Sequence, residues 1–273
     1  MEVGKEIQRE YDSEHPNYER WQKARDLSDA RAKFAEKIVS NEITPEGLKI
    51  LDLGAGEGST SELLSKKNFV VSLEIKPERI KKINNSQSLQ LLLADAFHHP
   101  FKKNIFDVII LQDVIEHIEF TEDFINELVS LLKKDGLIYL STPNKYSLIN
   151  IISDPHWGMP LLSLFKRKQV SKYFLKHFRK KDYERSDVAE LISLKDIQSK
   201  FSEKFSVSLF TKHSVEYLFN GGKGIVWSNF HLRMVKIAKA LGFNKILLRI
   251  ANNNPGIINK FFTPTFYVLL KKL

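Results

Sequence analysis

The stretch Leu51-Asp-Leu-Gly-Ala-Gly-Glu-Gly-Ser59 decides how this chain folds. Its apolar start predicts a buried strand, and its three glycines predict a tight turn that leads into a helix. Glycine lets the backbone approach a ligand closely and adopt conformations that a side chain would block. NAD-binding loops need a third glycine three residues after the second, and that position here is Ser59. The stretch therefore predicts a ligand-binding turn, and Ser59 disfavours the dinucleotide-binding type.

Apolar segments alternate with helix-forming segments on both sides of this turn. Segments that are apolar along their whole length are typical of parallel strands covered on both faces. We therefore predict an α/β fold: a Rossmann-like, seven-stranded, mostly parallel sheet with helices on both faces and two helical insertions. The helix before the fifth strand is expected to begin after Thr121 and to end just before Gly136. The seven strands are expected at 48–53, 69–75, 89–94, 106–112, 137–142, 205–211 and 265–270.

The same pattern divides the chain into six parts. The two insertions are expected at the end of the sheet where ligands bind. The parts are N-terminal helices over 1–44 (helix formers from residue 6 onward), a cofactor-binding core over 45–143, a basic insertion or lid over 144–192, a core helix and strand over 193–213, a second helical insertion over 214–263 and a final strand over 264–273.

Charge is distributed unevenly along the 273 residues. Residues 1–144 carry 19 basic and 25 acidic side chains, whereas residues 145–273 carry 23 basic and 8 acidic ones. The basic half suits an anionic partner, either a phosphorylated substrate, a membrane surface or a nucleic acid, and a solvated lysine-rich surface is the alternative. The chain has no cysteine, which excludes a disulfide framework and a thiolate nucleophile.

Targeting signals are not evident in the sequence. The N-terminal residues lack the apolar region of a signal peptide, and the longest apolar stretch, 147–165, contains Asp154, His156 and two prolines. We therefore expect a cytoplasmic protein without a transmembrane helix.

Five motifs in order resemble those of the class I S-adenosylmethionine-dependent methyltransferases. They are LDLGAGEGS at 51–59, Glu74, ADAFHHPF at 94–101, FDVIILQDVIEHI at 106–118 and LLKKDGLIYLSTPN at 131–144. The chain is most similar to the branch that includes the ubiquinone-pathway O-methyltransferases. The resemblance covers about residues 45–145 and, more loosely, the last strands. It implies S-adenosylmethionine as cofactor and says little about the acceptor.

The resemblance also implies a set of cofactor-binding residues at the ends of the strands. Gly54 and Gly56 would pass beneath the methionine part of the cofactor, and Asp52 would support their loop. Glu74 would hold the ribose. The full set is Asp52, Gly54, Ala55, Gly56, Glu74, Ile75, Asp95, Ala96, Gln112 and Asp113.

The remaining members of this set would surround the adenine and the methyl group. Asp95 and Ala96 would meet the adenine, Asp95 through the exocyclic amine, and Gln112 and Asp113 would border the methionine and the transferred methyl. Purely structural roles remain open for three carboxylates: bracing the loop for Asp52, a surface strand end for Glu74 and forming a turn for Asp95.

Two histidines are candidates for the base that transfer to an oxygen requires. His117 lies just after the fourth strand, where it could alternatively only shape the pocket. His156 lies in a proline- and glycine-containing turn, where Asp154 could orient its imidazole; a structural turn around Trp157 is the alternative. The other histidines lack the paired spacing of metal ligands, so we predict no metal.

The insertions carry the remaining functional information. Both interleave basic and apolar residues, the second from Trp227 to Ile250, and could roof a substrate pocket, lie on a membrane, or do both. We predict methyl transfer, at oxygen, to a small-molecule or lipid- or glycan-linked acceptor, with peripheral contact to the inner membrane face. An RNA methyltransferase is the alternative, although no RNA-binding module is recognisable. A dinucleotide-dependent oxidoreductase and a non-enzymatic binding module are weaker alternatives.

Overall fold

The computed structural model describes residues 12–183, 185, 187–222 and 229–273. Residues 6–11 of the predicted N-terminal helices, and Trp227 of the second insertion, lie outside this range. The strands are β1 (Lys49–Leu53), β2 (Phe69–Glu74), β3 (Leu89–Leu93), β4 (Phe106–Gln112), β5 (Leu132–Pro143), β6 (Phe205–Leu209) and β7 (Thr265–Lys272).

These strands form one sheet in the order β3-β2-β1-β4-β5-β7-β6. The first five strands along the chain are parallel, and β7 is antiparallel to both of its neighbours. The helices are α1 (Tyr18–Asp26), α2 (Ser28–Val39), α3 (Ser59–Leu64), α4 (Pro77–Ile80), α5 (Glu122–Leu131), α6 (Leu148–Ile152), α7 (Arg167–Gln169), α8 (Lys176–Phe178), α9 (Leu194–Phe201), α10 (Thr211–Phe219), α11 (Asn229–Ala240), α12 (Phe243–Ile250) and α13 (Ile257–Phe261), with a π-helical segment, Val170–Leu175, between α7 and α8.

Two apolar layers hold the helices against the sheet. Successive strand residues point to opposite faces, so Leu51 joins the layer under α5 and α9, whereas Ile50 joins the layer under α2, α3 and α4. The N-terminal helix α2 buries Phe34 and Ile38 in this second layer. The predicted Rossmann-like, mostly parallel sheet with helices on both faces is therefore confirmed.

The prediction for the end of α5 is wrong. Its start is as predicted, since the Thr121 hydroxyl accepts a hydrogen bond from the Phe124 amide at 3.3 Å. However, the helix ends at Leu131 and β5 begins at the next residue. Phe106 of β4 pairs with Leu132, but Val108 pairs with Leu137, so the register of β5 shifts between these two pairs. Asp135 lies in the shifted stretch and takes a φ of 62°. Gly136 therefore lies in a bulge of β5 and does not end a helix.

The first insertion packs near the carboxyl ends of the parallel strands. Its apolar centre is a small cluster around Trp157 and Leu175. His15, which precedes α1, contacts the first insertion through a hydrogen bond of 3.1 Å between its Nε2 and the Asp182 carboxylate. In the part of the chain that the structure describes, no helix is long and apolar enough to cross a membrane.

Candidate functional site

The turn after β1 holds its glycines in conformations that side chains disfavour. Gly54 and Gly56 have φ values of +76° and +61°. The amides of Gly54 and Ala55 both donate to the Leu73 carbonyl, at 2.8 and 3.0 Å, which ties the turn to β2. A Cβ on Gly54 would lie 2.6 Å from a methyl carbon of Val114, so this position excludes a side chain.

Asp52 supports this turn from below. Its buried carboxylate accepts a hydrogen bond from the Ser61 hydroxyl in α3 at 2.6 Å, and Ser61 in turn accepts one from Ser72. Burial raises the pKa of Asp52 to about 6. The carboxylate thus links β1, the first helix after the turn and β2.

Glu74 ends β2 with a carboxylate that the backbone holds in place. One of its oxygens accepts from the Gly56 amide at 2.8 Å and the other from the Lys76 amide at 2.9 Å. The residue is only 4% exposed. Since an ionised carboxylate has about four acceptor positions, each oxygen can accept one more hydrogen bond. Glu74 is therefore a fixed carboxylate with spare capacity to accept hydrogen bonds.

Two cavities of about 250 and 520 Å³ adjoin this turn, and both are lined by Gly54, Asp113, Trp21 and Arg79. All twelve residues predicted for the site line one cavity or the other. The smaller cavity adds Asp52, Ala55, Gly56 and Gln112, and the larger adds Glu74, Ile75, Asp95, Ala96, His117 and His156. The structure thus brings the predicted residues together around one cleft, and their individual roles stay predictions.

The end of β4 contributes Gln112 and Asp113 to the cleft. Gln112 accepts a hydrogen bond from the Thr60 hydroxyl at 2.8 Å. Asp113 takes a φ of 58°, accepts from the Ser141 hydroxyl at 3.1 Å and forms an ion pair with Arg31 of α2. An N-terminal helix therefore supplies a cation directly beside the turn.

Asp95 follows β3 and lines the larger cavity. Its carboxylate accepts a hydrogen bond from the Phe97 amide at 2.8 Å, which makes it the first residue of a tight turn. The side chain is 42% exposed, so part of the carboxylate is still accessible to a ligand.

His117 has a defined tautomer. Its Nδ1 lies 2.8 Å from the Asp187 carbonyl oxygen, which can only accept a hydrogen bond, so Nδ1 carries the hydrogen and Nε2 has the lone pair. Its ring meets that of His156 nearly perpendicularly, with 5.1 Å between the ring centres. Burial lowers the pKa of His117, and burial together with the neighbouring His117 lowers the pKa of His156 much further. Of the two, His117 is thus the stronger base.

The Asp154 carboxylate fixes the turn that carries His156, as the structural alternative predicts. The Asp154 Oδ1 accepts hydrogen bonds from the backbone amides of His156 and Trp157, at 2.9 and 2.8 Å. Short polar side chains favour such bonds to the backbone one or two residues on, and they fix a turn. Burial raises the pKa of Asp154 to about 6.

Several cleft residues were not identified from the sequence. Asp187 accepts from Lys76 at 2.8 Å and from Arg185 at 2.7 Å, and these cations hold its pKa well below the usual range. The Arg185 guanidinium lies between the rings of Trp21 and Trp157, 5.4 and 5.7 Å from their centres. These residues come from distant segments and form no motif, so no local signal pointed to them.

A buried acid lies next to the two histidines. Glu116 accepts from the Thr142 hydroxyl at 3.0 Å, and burial raises its pKa to about 7. Among the described residues, Glu116, His117 and His156 each present one ligand atom within 4.8 Å of the others, a separation that a metal ion could bridge. The absence of a metal from the site stays a prediction.

The second insertion lies apart from this cleft. Within the described ranges, no residue of 214–263 lines either of the two cavities. The first insertion, by contrast, contributes His156, Trp157, Arg167 and Arg185 to the larger one. Of the two insertions, the first forms a wall of the cleft.

Comparison with known proteins agrees with this geometry. Residues 51–140 match the family model described as a methyltransferase domain. A ubiquinone biosynthesis O-methyltransferase from Pelagibacter ubique is 31% identical over 121 residues, which cover 40% of this chain and 48% of that protein. A ubiquinone/menaquinone biosynthesis C-methyltransferase from Wigglesworthia glossinidia brevipalpis is 32% identical over 114 residues, covering 38% and 45%.

The chain thus spans about half the length of the curated relatives it matches. Among solved structures, an S-adenosylmethionine-dependent methyltransferase from Mesorhizobium loti superposes with a TM-score of 0.54 at 12% identity, over 87% of this chain and 98% of that one. This likeness shows a shared fold.

Proposed function

Since residues 51–140 match a methyltransferase domain, we propose that the protein is a class I S-adenosylmethionine-dependent methyltransferase that transfers the methyl group of this cofactor to an acceptor molecule. The observation that carries the proposal is the Glu74 carboxylate, which the Gly56 and Lys76 amides fix beside the glycine turn. A fixed, buried carboxylate with spare acceptor capacity suits the two hydroxyls of a ribose. The Glu74 carboxylate also lies beside the glycine turn, whose backbone a ligand can approach closely.

The other predicted residues fit the rest of the cofactor. The adenine would lie between Ala96 and Asp95, next to Ile75, with the Asp95 carboxylate accepting from the exocyclic amine. The methionine part would lie over the turn, between Gln112 and Asp113, where Arg31 offers a nearby positive charge for its carboxylate. When bound, S-adenosylmethionine supplies a methyl group that is activated by its positively charged sulfur.

His117 is the proposed proton acceptor. Its Nδ1 hydrogen is bound to the Asp187 carbonyl, so its Nε2 lone pair is free to take a proton from an acceptor hydroxyl. The low pKa keeps His117 neutral at physiological pH and therefore able to act as a base. His156 packs edge-on against it and holds the ring in place. This arrangement supports transfer to oxygen, although the similar proteins include both O- and C-methyltransferases.

The larger cavity indicates the kind of acceptor. Its wall combines apolar side chains such as Phe97 and Trp157 with the cations Arg167 and Arg185. We infer a small-molecule or lipid- or glycan-linked acceptor with an apolar part and an anionic group. We further propose that the enzyme works at the cytoplasmic face of a membrane, which it contacts through its basic amphipathic insertions.

RNA methylation is the second candidate, because residues 145–273 carry 23 basic and only 8 acidic side chains. The experiment that separates the candidates incubates the protein and methyl-labelled S-adenosylmethionine with fractionated extract of its own cells. We expect label in the organic-extractable fraction. Label in RNA would favour the alternative, and a protein that neither binds the cofactor nor transfers label would refute the proposal.

A further inference from the structure

The helical hairpin formed by α11 and α12 buries very few of its residues completely. His231 is its one buried residue, and α12 has none. Isolated helices of this length are unstable in water, and packing supplies most of their stability in proteins. The hairpin therefore has more surface suited to packing than the described part of the chain covers.

The inner side of the hairpin faces a cavity. This cavity has a volume of about 330 Å³ and lies between the hairpin, α10 and the start of β7. The hairpin contributes Val235, Ala238 and Leu247 to this cavity, whereas α10 contributes Leu218 and Phe219. On this side the hairpin covers an apolar space that is not tightly filled, so its inner contacts are incomplete.

The outer side of the hairpin carries a stripe of large apolar residues. Residues at i and i+3 or i+4 share one face of a helix, and two pairs of large apolar residues at this spacing do not line the cavity. Their exposed fractions range from 50% to 62%. We call these four residues the outer stripe: Ile237, Leu241, Phe243 and Ile246.

The charges that flank the outer stripe are all positive. Residues 229–250 contain five basic residues and no acidic one. All five are exposed: Arg233, Lys236, Lys239, Lys245 and Arg249. Apolar residues bordered by lysine and arginine are the pattern of helices that lie in the interface of an anionic membrane. A second copy of the chain would instead place five cations against five others, which is repulsive.

We propose that the α11–α12 hairpin docks on an anionic lipid surface, with the outer stripe among the acyl chains and the five cations at the headgroups. This proposal rests on the membrane contact proposed above and assigns it to the second insertion. The position of the hairpin suits it. Because β5 and β6 are both antiparallel to β7, they run in the same direction, and the hairpin follows β6 at the carboxyl edge of the sheet, where the cofactor cleft also opens.

Vesicle co-sedimentation of the full chain tests the apolar part of this surface. We expect binding to vesicles of phosphatidylcholine mixed with phosphatidylglycerol and little binding to phosphatidylcholine alone. The double variant Ile237→Asp, Ile246→Asp should lose this binding. The matched control is Phe178→Asp, which alters a side chain that is 74% exposed in the basic first insertion and should bind like the wild type.

Charge variants test the electrostatic part. Replacing Lys236 and Lys239 by glutamine should weaken binding by about fivefold for each charge removed, and added salt should weaken it further. The control variant replaces Lys66 and Lys67, which are exposed near the amino edge of the sheet, and should leave binding unchanged. Since no hairpin residue lines the cofactor cavities, every variant should bind S-adenosylmethionine normally, and this titration verifies the fold.

Three results would overturn the proposal. The wild type could fail to bind the mixed vesicles, or the Phe178 variant could lose as much binding as the hairpin variant. Sedimentation could also show a dimer that the hairpin variant converts to monomers, which would make the surface a contact between copies of the chain. A protein that binds vesicles but not S-adenosylmethionine would refute the proposed methyl transfer and leave the docking surface standing.

Discussion

Replacement of Glu74 by glutamine tests the cofactor site most directly. The carboxylate now accepts one backbone hydrogen bond on each oxygen, from Gly56 and Lys76. An amide keeps one oxygen and replaces the other by an NH₂ group, which cannot accept a hydrogen bond. The variant therefore loses one proposed ribose hydrogen bond and places two N–H groups against each other at the turn.

The size of the effect follows from the charge of the lost acceptor. A hydrogen bond to a charged group contributes about 1.5–3 kcal/mol. Because 1.4 kcal/mol corresponds to a factor of ten, affinity for S-adenosylmethionine should fall by roughly ten- to hundredfold. Leaving one buried amide without its acceptor should also lower the free energy of unfolding by about 1–3 kcal/mol.

Isothermal titration with S-adenosylmethionine and with S-adenosylhomocysteine measures the affinity, and thermal unfolding measures the stability. Glu78→Gln is the matched control, since this glutamate lies in the first turn of α4, lines neither cavity and forms only a surface ion pair with Lys81 at 3.6 Å. It should bind like the wild type. A folded Glu74→Gln protein whose affinity is within twofold of the wild type would refute the assignment of Glu74 to the ribose.

Three further predictions concern the base, a buried acid and the metal. His117→Asn keeps a donor near the Asp187 carbonyl and removes Nε2, so label transfer should fall about 10²- to 10⁴-fold with unchanged cofactor affinity; His156→Gln is its control, and an equal loss in both would argue against His117 as the base. Asp154 has a folded pKa of about 6 against an ordinary 3.8, so the folded state binds this proton more tightly than the unfolded state does, and stability is lost as the pH rises from about 4 through 6. Asp154→Asn keeps the oxygen that accepts hydrogen bonds from the His156 and Trp157 amides. Unfolding experiments should show this variant to be more stable than the wild type at pH 8 by up to about 3 kcal/mol, and little changed in stability at pH 4. Destabilisation at both pH values would contradict this account. Treatment with EDTA should leave label transfer unchanged, and a loss that added divalent metal restores would assign a metal to the Glu116, His117 and His156 cluster.

The sequence was most informative where the interaction is local. The Gly54–Gly56 turn could be predicted because only glycine readily takes these backbone angles, and the parallel strands because they are apolar along their whole length. The bulge in β5 could not be predicted. A glycine after a helical pattern usually ends a helix, and only pairing with β4 decides that the strand begins at Leu132.

Residues from distant segments show the limit of sequence reasoning. The sequence by itself determined the fold class and the glycine turn, because both depend mainly on neighbours along the chain, whereas the cofactor-binding residues that the resemblance implies stay predictions. Only the tertiary structure decided that Arg31 pairs with Asp113, that the Asp187 carbonyl fixes the His117 tautomer and that Arg185 lies between two tryptophans. These contacts join segments far apart in sequence, and they form only when the folded sheet brings the N-terminal helices and the first insertion to its carboxyl edge.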